Sequence, residues 1–219
     1  MTGPGGADSG SQPRDASAPP TTELELTIRG HAERGALAEA ATAAIQGYGP
    51  ELLGYLCALA RDHDDANDVF SALCERMWRK LPEFRWQSSF RTWAYAIARN
   101  LACDAQRGDA RRRGRQVAID DAPEVAAVAE AVRSTTMLHL KSASQRKLDA
   151  IRATLDNDDR TMLVLSLDRK MTWRDIATVM SEEDADEAEL QRVAAKLRKR
   201  FERLKERLRA HLRDGDEDA

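Results

Sequence analysis

The sequence predicts an all-α protein made of two small helical domains that are joined by a flexible linker. Apolar residues recur at helical spacing along most of the chain, and the alternation typical of strands is nearly absent. Five of the seven prolines and eight of the twelve glycines lie in the first fifty residues, so the rest of the chain contains few helix breakers. Residues 109–144 open with "DARRRGR" and show only weak periodicity, which is typical of a segment between domains.

The periodicity predicts eight helices. They span about 32–46, 49–61, 65–81, 89–108, 145–155, 159–167, 172–180 and 187–212. Residues 1–22 lack the basic start and the apolar stretch of a secretory signal, and their composition predicts a disordered tail. We further expect an N-terminal helical extension at 23–47, a linker with one short helix at most at 116–144, and an acidic tail at 213–219.

Composition excludes several classes of protein. The 219 residues are 42% hydrophobic and 32% charged, as in soluble globular proteins. Because no apolar run approaches the roughly 20 residues that span a bilayer, we expect a cytoplasmic protein without a membrane partner. The three cysteines (Cys57, Cys74, Cys103) have no disulfide or zinc spacing and are expected to be buried thiols. The four histidines are scattered and there is no Gly-rich phosphate loop, so we expect no catalytic residues, no metal site, no cofactor and no enzyme activity.

Charge is segregated along the chain although the net charge is only −3. Arg91–Arg115 contains seven arginines and two aspartates, and Arg192–Arg213 contains ten basic residues and two glutamates. The acidic run "SEEDADEAE" occupies 181–189, between these two basic segments. Two separate basic faces are typical of a protein that contacts a polyanion at two places.

Six of the eleven aromatic residues lie between Trp78 and Tyr95, with arginines among them. On a helix over 90–104, an apolar stripe that begins at Phe90 is distinct from a second stripe formed by Arg91, Tyr95 and Arg99. A serine N-cap before this helix and Trp86 in the preceding loop complete a surface suited to single-stranded nucleic acid, because aromatic rings stack on unpaired bases. A second interpretation stays open, in which the rings form a core and the arginines are solvated.

The segment "DANDVFSALCERMWRKLPEFRWQSSFRTWAYAIARNLACDAQR" resembles region 2 of bacterial sigma factors of the extracytoplasmic-function (ECF) type. The matching positions are Asp65, Ala66, Asp68, Trp78, Phe84, Ser88, Ser89, Phe90, Thr92, Trp93, Ile97, Ala98, Asn100, Asp104 and Arg107. Ser71, Ala72 and Asn67 depart from the family pattern, which implies a weaker or differently tuned polymerase surface. The resemblance assigns 48–115 to region 2.

The resemblance to region 2 implies two sets of site residues. The helix at 65–81 would bind the clamp helices of the large subunit of core RNA polymerase, through Asp65, Asp68, Val69, Phe70, Leu73, Arg76, Met77 and Trp78. The loop and the helix that follow would recognise and open the minus ten promoter element, through Trp86, Ser88, Ser89, Arg91, Thr92, Trp93, Tyr95, Arg99 and Asn100.

The segment "NDDRTMLVLSLDRKMTWRDIATVM" begins a helix-turn-helix, with a capping pair at Thr172 and Asp175. It resembles sigma region 4, here 145–212, whose recognition helix is matched at Val193, Lys196, Leu197 and Lys199. The resemblance implies contacts with the minus thirty-five element through Thr172, Arg174, Arg192, Lys196, Lys199, Arg200 and Arg203. The acidic run at 181–189 is an insertion relative to the family, and we expect it to loop away from DNA because carboxylates repel phosphates.

These resemblances imply a promoter-specificity subunit that binds core RNA polymerase, through its clamp helices and flap region, and promoter DNA. An anti-sigma factor is a further partner that the resemblance allows. One alternative is a helix-turn-helix regulator that acts without polymerase, but this leaves Trp86–Asn100 without a role. Another is a helical adaptor, which predicts no salt-dependent DNA affinity.

Overall fold

The computed structural model describes residues 22–60, 62–107, 122–140, 155–182 and 185–217. All regular structure in these ranges is helical, in agreement with the predicted all-α class. The helices are α1 Glu23–Glu33, α2 Leu37–Leu59, α3 His63–Lys80, α4 Phe90–Gln106, α5 Pro123–Leu140, α6 Asn157–Leu163, α7 Trp173–Met180 and α8 Glu187–Glu217. A 3-10 turn at Leu81–Glu83 follows α3, and a π-helical turn at Val164–Asp168 extends α6.

Most of the predicted helices are present near the expected positions. α3, α4, α7 and α8 each start within two residues of the prediction, and α6 with its π turn covers the predicted 159–167. α8 continues to Glu217, so most of the predicted acidic tail is helical. The predicted helix at 145–155 and the predicted tail at 1–22 lie outside the described residues, except for Leu155 and for Thr22, which caps α1.

The first two helices do not have the predicted bounds. We expected a break at 47–48, but α2 runs through Gly47, Gly49 and Pro50, and the break lies at Gly35, whose φ of 75° suits glycine. Tertiary packing explains the continuous helix, because α2 is the central element and its Leu52, Leu53, Tyr55 and Leu56 are fully buried. The boundary that we drew between 47 and 48 therefore falls inside a helix.

α5 occupies most of the predicted linker. It is 18 residues long, which exceeds the short helix that the weak periodicity allowed, and it packs along α2 and also contacts α3. Ala122 and Val125 at its start are buried, and Arg133 donates a hydrogen bond from Nη1 to Ser71 Oγ at 3.4 Å. The close approach to α2 requires glycine at position 49, because a Cβ there would lie 2.9 Å from Val132 Cγ1.

The N-terminal domain is a bundle of α1 to α5. The apolar stripe predicted on α4 is confirmed, with Phe90, Ala94, Ile97 and Ala98 buried. Ser89 is the N-cap of α4, as expected, since its Oγ accepts a hydrogen bond from the Thr92 amide at 3.0 Å.

The C-terminal domain consists of α6, α7 and α8. Trp173 and Phe201 meet edge to face with 5.2 Å between their ring centroids, and Leu197 and Leu204 complete the same core. The predicted cap of α7 is confirmed, because Thr172 Oγ1 accepts from the Asp175 amide at 3.1 Å. The connection from α7 to α8 is longer than a tight helix-turn-helix turn because it contains the acidic run.

The two domains pack directly against each other, α4 on α7 and α2 on α6. At the centre of the contact, the buried Thr92 hydroxyl donates to Asp175 Oδ1 at 3.2 Å. Around it lie polar contacts between Tyr55 and Thr161, Arg91 and the Arg169 carbonyl, Arg99 and Asp158, Gln106 and Asn157, Arg160 and the Leu59 carbonyl, and Arg169 and the Glu51 carbonyl. This interface decides which predicted site residues are accessible.

Candidate nucleic-acid interface

The loop between the 3-10 turn and α4 presents a half-buried aromatic cluster. Phe84 stacks on Trp93 with a centroid distance of 4.6 Å and lies 4.7 Å from Trp86 in a tilted arrangement. Trp86 has φ 57°, a left-handed conformation that is costly for a residue with a bulky side chain. The loop is thus held in one unusual conformation, and part of each indole stays exposed.

A cleft of about 690 Å³ begins at this loop. It runs between the end of α3, one face of α4 and the connection from α7 to α8. The side formed by α3, the loop and α4 carries basic and polar groups (Arg76, Lys80, Arg85, Gln87, Ser88 and Asn100), the two carboxylates of Glu83 and Asp104, and apolar surface from Trp93 and Ile97. The cleft therefore combines aromatic surface, amide and hydroxyl groups and positive charge, which are the features that hold unpaired bases and their phosphates.

The opposite wall of the cleft is acidic. Glu182, Asp186 and Glu187 line it, and Arg174 forms a bidentate ion pair with Glu187 at 3.1 and 2.7 Å. This ion pair raises the pKa of the Arg174 guanidinium and lowers that of the Glu187 carboxyl, since the hydrogen bond between them favours both charged forms. The expectation that the acidic run loops away from DNA stays a prediction, although these three residues line the candidate cleft.

The residues predicted to bind DNA in the N-terminal domain divide into two groups. Ser88, Trp93 and Asn100 line the cleft, and Trp86 and Ser89 belong to the loop at its edge. Arg91, Thr92, Tyr95 and Arg99 lie instead on the face of α4 that contacts the C-terminal domain. The stripe was correctly separated from the core stripe, but the C-terminal domain covers it in this arrangement, so its contact with DNA stays a prediction.

Each member of this second group has a partner within the protein or a buried position. Tyr95 is fully buried and meets Tyr55 edge to face at 5.2 Å. Arg91 forms a bidentate ion pair with Glu51 at 2.6 and 2.9 Å. Burial by itself lowers the pKa of this guanidinium, but the Glu51 contact outweighs it and raises the pKa. Arg99 pairs with Asp158 across the domain interface at 2.7 Å.

In the C-terminal domain, the predicted outer face of α8 is exposed at Arg192, Lys196, Lys199 and Arg203. Arg200, which was also predicted to bind DNA, has partners within the C-terminal domain. Its guanidinium contacts Asp156 at 2.9 Å and the buried Asp159 at 2.6 Å, so it holds α8 against the start of α6. Thr172 caps α7 and Arg174 is paired with Glu187, so both have structural partners.

The residues predicted to bind polymerase on α3 also divide by exposure. Asp65 and Asp68 are exposed, and Val69, Arg76 and Trp78 are half-buried. Phe70, Leu73 and Met77 are buried in the bundle core, because they occupy the apolar face of α3, and they are not a contact surface. Arg76 lines the cleft as well.

Sequence reasoning missed two basic residues of the cleft, Lys80 and Arg85. Arg85 lies between Phe84 and Trp86, so the interleaving of rings and charges was the signal that could have found it. It also missed Glu25, whose buried carboxylate contacts the first residues of α4 from 65 positions away in the sequence.

Comparison with known proteins identifies the family of the chain. Residues 44–113 match the Sigma-70 region 2 family, and these residues contain the loop, α3 and α4. The chain is also 32% identical over 142 residues to the RNA polymerase sigma-H factor of Pseudomonas aeruginosa, covering 61% of this chain and 70% of that protein. No solved structure gave a significant match.

The fold is all-α with a region 2 domain, and the chain belongs to the bacterial RNA polymerase sigma factors. Members of this family bind core RNA polymerase and direct promoter-specific initiation of transcription. Among the described helices, none is both long and apolar enough to cross a membrane.

Proposed function

We propose that this protein is a sigma factor of the ECF type, in which the two domains bind different partners or promoter elements. The exposed start of α3 binds the clamp helices of core polymerase. The cleft beside the Phe84–Ser89 loop receives unpaired bases of the minus ten element, and the outer face of α8 contacts the minus thirty-five element. The protein contributes no catalytic group of its own. The cleft is the observation that carries this proposal.

The chemistry of the cleft favours single strands over duplex. Trp93 in the cleft and Trp86 in the loop at its edge offer ring surface, and base stacking on an aromatic contributes about 1–3 kcal/mol per base once the base has left the duplex. Extracting a base costs a few kcal/mol, so contacts that exist only for the unpaired base promote strand opening. Arg76, Lys80 and Arg85 supply positive charge for the adjacent phosphates.

The packed arrangement of the two domains cannot contact both promoter elements at once. The elements are separated by about 25 base pairs, or roughly 85 Å at about 3.4 Å per base pair. α4 and α7 lie in direct contact, so the cleft and α8 are much closer together than that. We therefore propose that the domains separate along the α4–α7 interface when the protein joins polymerase and promoter.

Transcription with purified core polymerase tests the proposed function. The wild-type protein is expected to direct transcripts with defined start sites, and Asp68→Lys is expected to weaken the complex with core polymerase about tenfold or more, because it reverses an exposed charge at the proposed interface. The fold should be unaffected, as judged by thermal unfolding. Normal core affinity in this variant would remove α3 from the interface, and failure of the wild-type protein to copurify with core would favour a regulator that acts without polymerase.

Duplex binding tests the role of α8. Replacing Lys196 and Lys199 by alanine is expected to lower duplex affinity and to make the salt dependence shallower by about one unit per lost phosphate contact. Both residues are exposed, so stability should be retained. Glu202→Ala and Glu206→Ala on the same helix are charge controls that should not weaken binding. If the lysine variant binds duplex as tightly and with the same salt slope as wild type, DNA does not contact this face.

A further inference from the structure

α1 lies outside the residues that match region 2, yet it contacts the proposed minus ten loop. Glu25 is 7% exposed, and its carboxylate accepts hydrogen bonds from the Phe90 amide at 2.8 Å and the Arg91 amide at 3.0 Å. The Tyr48 hydroxyl donates to the same carboxylate at 2.8 Å. A negative charge at this place also complements the positive end of the α4 dipole. Glu25 thus fixes where α4 begins, at the point where the loop ends.

A second contact from α1 reaches the loop itself. The Arg29 guanidinium lies over the Trp86 ring, 5.6 Å from its centroid, one helical turn beyond Glu25. Trp86 has the left-handed backbone conformation with φ 57°, and such a conformation persists only where surrounding contacts hold it. Arg29 covers one side of the ring, and the centroid of the Phe84 ring lies 4.7 Å from that of Trp86.

α1 is itself firmly seated on the bundle. Ile28 is fully buried, and a Cβ at Gly47 would lie 2.2 Å from Leu24 Cδ2, so glycine at position 47 lets α1 approach α2 closely. Glu25 and Arg29 therefore project from a fixed element and not from a mobile one. Their contacts therefore hold the start of α4 and the Trp86 ring in place.

We propose that α1 is a positioning element for promoter opening, in which Glu25 fixes the start of α4 and Arg29 fixes the indole of Trp86. This inference rests on the proposed function of the loop and deepens it, because it assigns a role to residues before the region 2 match. Neither side chain needs to contact DNA. Both act by fixing the conformation of the loop before the loop meets unpaired bases.

A double-mutant cycle on the rate of promoter opening tests this proposal. With core polymerase and a closed duplex promoter, Trp86→Ala is expected to slow opening at least about fivefold, the lower end of the range for one stacked base. Arg29→Ala is expected to slow opening about two- to fivefold, the range for an exposed cation–π contact. In the Trp86→Ala background, Arg29→Ala should have no further effect, since its target ring is gone. A template with a preformed bubble should restore both single variants.

Two matched controls separate positioning from general stability. Arg34→Ala removes an exposed arginine just after α1 and should leave opening unchanged. Glu25→Gln keeps the shape and one acceptor oxygen and is expected to slow opening less than Glu25→Ala does, whereas Glu23→Gln at the exposed start of α1 should have no effect. Thermal unfolding and core affinity of the Arg29→Ala variant should stay near wild type.

The outcomes distinguish this inference from the proposed function. If Arg29→Ala slows opening equally in the presence and absence of Trp86, it does not act through that ring and the inference is overturned while the loop keeps its role. The same holds if Arg29→Ala has no effect although Trp86→Ala does. If Trp86→Ala opens a closed promoter at the normal rate, the proposed role of the loop is overturned and the inference with it.

Discussion

Tyr95→Ala is expected to lower the free energy of unfolding by about 3–5 kcal/mol, the range for truncating a buried aromatic residue. Tyr95 is fully buried, its ring meets that of Tyr55 edge to face at 5.2 Å, and the Arg91 guanidinium lies 5.5 Å from its centroid. Truncation leaves a cavity where α4, α2 and the C-terminal domain meet. Denaturant unfolding of the whole chain, followed by circular dichroism, measures the loss.

Tyr95→Phe is the matched variant that isolates the hydroxyl. Within the described residues the Tyr95 hydroxyl is buried without a hydrogen-bond partner, and burial raises its pKa, so it remains a neutral and unsatisfied polar group. Because an unsatisfied buried polar group costs about 1–3 kcal/mol, Tyr95→Phe is expected to be neutral or slightly stabilising. Asn100→Ala, at an exposed position of the same helix, serves as a surface control. If Tyr95→Phe lowered the free energy of unfolding as much as Tyr95→Ala does, the hydroxyl would have a hydrogen-bond partner.

The two stripes of α4 show what the sequence could and could not predict. Helical periodicity correctly separated the stripe of Phe90 from the stripe of Tyr95, because that separation depends only on 3.6 residues per turn. It could not say what each stripe faces. The C-terminal domain covers the second stripe, and residues such as Asp175, 83 positions from Thr92, make that contact. Local patterns carry no information about such a distant partner.

The same distinction explains the other successes and errors. The caps at Ser89 and Thr172 were predictable because a cap and its target are three residues apart. The course of α2 through Pro50 was not, since burial of the central helix outweighs a local breaker. Likewise, the role of Glu25 depends on a hydrogen bond to Phe90 that spans 65 positions. The sequence indicated the rings and arginines of the cleft, but it could not indicate that acidic residues of the 181–189 run line the same cleft.

A double variant that weakens the interface between the domains, Arg169→Ala with Asp158→Ala, is expected to open the free protein. Arg169 donates from Nη2 to the Glu51 carbonyl at 2.9 Å, and Asp158 accepts from Arg99 at 2.7 Å. Losing a charged hydrogen bond and a partly exposed ion pair should destabilise the packed arrangement by about 2–4 kcal/mol in total. The radius of gyration from small-angle scattering should increase, and single-stranded minus ten DNA should bind the free protein more tightly.

The expected gain in DNA affinity follows from the walls of the cleft. In the packed arrangement, Glu182, Asp186 and Glu187 line the same cleft as Arg76, Lys80 and Arg85, so DNA phosphates entering the cleft meet carboxylates. Separation of the domains removes these three carboxylates, and the side that remains has three basic residues against Glu83 and Asp104. The double variant removes one positive and one negative charge, so its net charge is unchanged and a general electrostatic effect cannot explain tighter binding.

Lys170→Ala with Glu206→Ala is the control, because it makes the same change of charges at two exposed positions of the C-terminal domain. It should leave both the radius of gyration and the DNA affinity at wild-type values. If the interface variant is also unchanged in both, the α4–α7 contact does not restrict access to the cleft. An expanded variant with unchanged DNA affinity would show that the domains separate without exposing a binding site. The acidic residues of the cleft would then have no influence on promoter DNA.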